Sequence, residues 1–107
     1  MKNIALSYMY RDGGNYKNHN SVIFGNPDKC VLGQIEPVIR SRLIDGGWFY
    51  IQNWGLKDLH FDKWDDEIDH TFHEFEGIEY TDEQPTDERT ILVFLEQILS
   101  RDVFNTI

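Results

Sequence analysis

The sequence predicts an α+β domain over residues 1–107, an antiparallel sheet of four to five strands with two helices packed on it, in the order ββα-β(β)β-α. Three observations point there. Ile4, Leu6, Tyr8 and Tyr10 alternate with Ala5, Ser7 and Met9, the period of two that a half-buried strand requires. Ile91, Leu92, Phe94, Leu95, Ile98 and Leu99 recur at helical spacing and form one apolar face. Between the apolar runs stand turn formers: Gly13-Gly14-Asn15, Asn26-Pro27-Asp28 and Gly46-Gly47.

Taken in order, the first strand covers Ile4 to Tyr10, and Arg11 to Asn15 opens a longish polar hairpin loop that ends at a second strand, Ser21-Val22-Ile23-Phe24. Pro27 closes that strand, because it has no N–H for a ladder. Leu32, Ile35, Val38, Ile39 and Leu43 predict a helix over about 34–45, stopped by Gly46-Gly47. Pro37 occupies the tolerated first position if that helix opens at Glu36, and distorts the first turn if it opens near Leu32. Trp48 to Ile51 is a short buried strand, and Leu56 to Phe61 is another short strand or an irregular segment. Asp62 to Asp69 is too charged for a core and is expected as a loop or a single helical turn. In Phe72, Phe75, Ile78 and Tyr80 the alternation slips by one at Gly77, as it does at a β-bulge. Thr86 is the expected N-cap of the last helix, with Asp87 and Glu88 in the first turn where the helix dipole favours acids.

Composition narrows the function classes. The chain has 107 residues, a net charge of −9, 40% apolar and 14% aromatic residues, which suits one folded unit and excludes intrinsic disorder. No run approaches the roughly 20 apolar residues of a membrane span, and the N-terminus lacks a signal-peptide pattern, so no membrane association and a cytoplasmic location are expected. Cys30 is the single cysteine, which rules out an internal disulfide or a multi-cysteine zinc site.

The charge is unevenly spread. Residues 1–57 carry a net charge of +3, whereas residues 58–88 hold thirteen acids and one base, Lys63, for a net of −12. Such a surface repels phosphate backbones, so direct nucleic-acid binding through it is not expected. It attracts basic proteins, metal ions and cationic ligands instead. Within this stretch Trp64, flanked by Lys63 and Asp65, is a bulky apolar ring among charges and the expected anchor of an interface, with Asp65, Asp66, Glu67 and Asp69 around it.

Two further groups carry chemistry. His60, Asp62, Asp69, His70 and His73 supply nitrogen and oxygen donors suited to zinc, or to manganese with more carboxylates. His70 and His73 share a face only on a helix; on the expected strand they diverge, which leaves His60 and Asp62 facing Asp69 and His70 across the loop. In the first hairpin loop Arg11, Gly13, Gly14 and Lys17 combine cations with backbone N–H groups that suit an anion nest. Ser-His-Asp order, Gly-x-Ser-x-Gly, Walker A and Gly-x-Gly-x-x-Gly patterns are all missing, so catalysis is not expected, and no cofactor is implied beyond a divalent metal.

Tyr10 to Lys17, Asp69 to Phe75 and Pro85 to Ile91 resemble stretches of a family of small bacterial proteins to which no activity is attached. That resemblance implies a bacterial or mobile-element setting and carries no residue roles. The expectation is therefore a non-catalytic acidic module that engages a basic protein, its sharpest form an inhibitor or anti-defence protein imitating nucleic acid. The alternative is a small-ligand or divalent-metal domain, with a small hydrolase as its catalytic form, built on the His60 to His73 cluster.

Overall fold

The computed structural model describes residues 2–61 and 72–100. Its elements are β1 (Asn3–Arg11), β2 (Lys17–Phe24), α1 (Leu32–Arg40), β3 (Trp48–Tyr50), α2 (Ile51–Trp54), β4 (Phe72–Thr81) and α3 (Ile91–Leu99). The strands form an antiparallel sheet in the order β2-β1-β4-β3. The α+β class and the antiparallel sheet are as the sequence predicts; among the described residues no fifth strand forms, and residues 55–61 run irregularly after the single turn of α2.

β1 buries its larger side chains on one face, and Ala5 and Met9 on the other are buried too. Ile4, Leu6, Tyr8 and Tyr10 are buried on the face where Ile35 and Ile39 of α1, Trp54 of α2 and Phe94 of α3 pack. The opposite face displays Ser7, Ser21, Glu74 and Glu79, and no helix of the described residues joins the core through it. β4 carries the expected bulge: Ser7 opposes Gly77 while Tyr8 opposes Phe75, so Glu76 is the extra residue. The slip keeps Phe75 and His73 pointing into the core below it.

Three expectations shift. The second strand begins at Lys17, because Asp12 closes the hairpin loop early: its Oδ1 accepts from the N–H groups of Gly14 and Tyr16, both at 2.9 Å, and Arg11 then pairs with Lys17. The helix expected over 34–45 opens at Leu32 instead and keeps Pro37 inside, ending at Arg40 before turns that bring Leu43 to the core. The third concerns Thr86, which is not the cap of α3. Its N–H donates to the Ile23 carbonyl and its Oγ1 accepts from the Ile23 N–H, each at 2.9 Å, so this segment seals the edge of β2. Thr90 caps α3 instead, accepting from the Val93 N–H at 3.3 Å, a bond worth about 1 kcal/mol.

Arg89 ties these pieces together. Its guanidinium donates to both oxygens of Asp87 at 3.0 and 2.8 Å, to the carbonyls of Trp54 and Gly55 at 2.9 and 3.1 Å, and to Gln97 at 2.9 Å. It also lies over the rings of Phe94 and Phe24, 5.2 and 5.7 Å from their centroids. Gly55 is required there for two reasons: its φ is 62°, and a Cβ would stand 3.2 Å from the Arg89 guanidinium.

Candidate functional site

The residues with the greatest chemical potential meet where the irregular segment after α2 crosses the end of β1 and β4. Three bonds hold that segment. The Tyr8 hydroxyl donates to the Lys57 carbonyl at 2.8 Å and accepts from the Asn20 amide at 3.1 Å. Asn18 donates to the Leu59 carbonyl at 2.9 Å, and the Leu59 N–H donates to Nε2 of His73 at 3.0 Å. Asn18 and Asn20 face the core side because they oppose Tyr10 and Tyr8 in register. Local polarity gives no sign of that role.

With its backbone so placed, the segment brings Asp58 and His60 against His73. Asp58 Oδ1 lies 2.6 Å from His60 Nδ1, accepts from the His60 N–H at 2.9 Å, and stands 3.5 Å from His73 Nε2. The His60 and His73 rings are 5.1 Å apart, and Tyr10 packs edge-on to His60 at 4.3 Å. A backbone N–H can only donate, so His73 Nε2 accepts the Leu59 bond. Burial works to raise the Asp58 carboxyl, but hydrogen bonds from the backbone and ring of His60, together with attraction from both histidines, hold the group below its ordinary range. Burial raises the Tyr8 phenol, so it serves here as a neutral donor and acceptor.

Of the sequence-predicted metal donors, His60 and His73 do converge, whereas Asp62, Asp69 and His70 lie outside the described residues. So do Trp64, Asp65, Asp66, Glu67 and Asp69, the expected partner-binding residues. Asp58 is the member that sequence reasoning missed; it is one of thirteen acids in its stretch, and only the Asp58-x-His60 spacing marks it out.

The hairpin loop assigns its groups internally. Arg11 donates to Glu74 at 3.1 Å and to Asn15 at 2.8 Å, and the Gly14 amide faces the Asp12 carboxylate. Gly13 turns the chain between them, while Lys17 sits exposed opposite Arg11 at the base of the hairpin. The loop thus encloses an anion of its own.

A cleft of about 350 Å³ opens between the edge of β2 and residues 55–57, with Tyr8, Asn20 and Asp87 among its lining residues. The Tyr8 hydroxyl there is bonded to the Lys57 carbonyl and Asp87 to Arg89, while the Lys57 side chain, also in the lining, is exposed. No family model, curated protein or solved structure matches the chain.

Proposed function

We propose that the chain is a non-catalytic binding module that engages a basic protein through its acidic stretch, with Trp64, Asp65, Asp66, Glu67 and Asp69 as the contact residues. The observation that carries this is the net charge of −12 over residues 58–88. In support, β4 carries acids on the face that has no helix among the described residues, where Glu79 opposes Ala5 and is exposed. Beyond that strand Glu83 and Glu88 are exposed as well. Like charges held on one surface raise the rate of encounter with a basic partner and make its affinity depend on salt.

A tagged pull-down from native lysate tests this beside a variant carrying Asp65→Asn, Asp66→Asn, Glu67→Gln and Asp69→Asn, which keeps shape and removes four charges. A basic protein captured by the wild type and lost with the variant is the expected outcome. If that partner is itself a nucleic-acid-binding protein and its complex dissociates at roughly 0.5 M salt, where the Debye length is only a few Å, the module imitates nucleic acid. Identical capture by both forms overturns the proposal.

A further inference from the structure

Asp58, His60 and His73 supply one carboxylate oxygen and two imidazole nitrogens that all lie within 4.8 Å of one another. We propose that they bind a divalent transition-metal ion of the zinc or cobalt type. Two nitrogens and one oxygen are a donor set that such ions favour, with a fourth position left to water. Around an ion bonded at 2.0–2.2 Å, donors in a tetrahedron stand about 3.4 Å apart. The 3.5 Å between Asp58 Oδ1 and His73 Nε2 meets that spacing, whereas the 2.6 Å between Asp58 Oδ1 and His60 Nδ1 is the length of a shared proton. The ion takes the place of that proton, and the half-exposed Asp58 carboxylate is the arm that opens to admit it.

Two features prepare the site. His73 is fully buried, and its Nε2 is turned toward the ligand-bearing segment as a lone-pair acceptor. Tyr8 and Asn18 fix the carbonyls of Lys57 and Leu59, which anchors the ligand-bearing segment to the sheet as supporting hydrogen bonds do around metal sites. One feature limits the affinity: the ion competes with the Leu59 N–H for the lone pair of His73 Nε2. Binding is accordingly weaker than at a closed structural zinc site.

Titration of the intact chain with Co²⁺, read by its visible absorption, and thermal unfolding with Zn²⁺ test the site. One Co²⁺ per chain with bands of nitrogen and oxygen ligation is expected, together with a rise of roughly 10 °C or more in unfolding temperature at a hundredfold excess over Kd. Both signals should fall at least tenfold in apparent affinity in Asp58→Asn and in His60→Gln, whose fold is checked by circular dichroism. Absence of both signals in the wild type at millimolar ion overturns the proposal. Signals that persist unchanged in the two variants also overturn it, since they place the ion elsewhere on the acidic surface.

Discussion

The segment that follows α2 is fastened at its two ends by different chemistry. At Trp54 and Gly55 it is held by Arg89, whose charge is matched by Asp87 and enclosed by Phe24 and Phe94. At Asp58 to His60 it is held by Tyr8, Asn18 and His73, groups that share protons and lone pairs. The guanidinium keeps one charge state at every pH a protein survives, so within that network only its partner Asp87 titrates, in the acid range. Imidazole and carboxylate can exchange a proton for an ion, so the second network can respond to its surroundings.

Arg89→Ala should produce the largest effect in this comparison. It strands the largely buried Asp87 and leaves the Trp54 and Gly55 carbonyls without their donor, a loss of about 3–5 kcal/mol measured by urea unfolding. A loss no greater than that of an exposed substitution would show that α2 is secured by packing alone. Next comes His73→Leu, which fills the same space but removes the acceptor of the Leu59 N–H; about 1–3 kcal/mol is expected. Hydrogen exchange at Leu59 should accelerate in that variant by more than the global loss accounts for, and equal protection would contradict the role of Nε2.

Asp87→Asn separates the two networks by pH. The Arg89 hydrogen bond comes first among the causes that hold the Asp87 carboxyl below its ordinary range, ahead of the burial that opposes it. Its contribution is therefore complete above the ordinary carboxylate pKa of about 3.9 and disappears as pH falls through the lower folded value. Wild type should exceed the variant by about 1–2 kcal/mol at pH 6, and the gap should narrow as pH falls below the ordinary carboxylate range. A gap that stays constant with pH would assign the loss to shape instead of charge. The smallest effect is expected of Asn18→Ala, about 1 kcal/mol, from the single bond to the Leu59 carbonyl. If Co²⁺ affinity is unaltered in that variant, the segment needs no support from β2.

Where the sequence read correctly, a local period carried the information. Alternation placed Ile4, Leu6, Tyr8 and Tyr10 in the core, and its slip at Gly77 marked the bulge beside Glu76. Lys17 to Asn20 resemble loop by their polarity, yet their ladder with β1 extends the hairpin and turns Asn18 and Asn20 into fasteners of a distant segment. Thr86, the expected cap, loses that role because its hydroxyl meets the Ile23 N–H, a partner 63 residues away, and Thr90 caps the helix.

From residue order alone follow the class of the domain, the position of most strands and of the last helix, and the concentration of acid in residues 58–88. Each depends on neighbours a few positions apart. The union of Asp58, His60 and His73 has another origin: β4 inserts between β1 and β3, and the bulge turns His73 inward beneath the segment that β1 and β2 support. Hydrophobic period is written along the chain, whereas the meeting of side chains is set by the path the chain takes through the sheet.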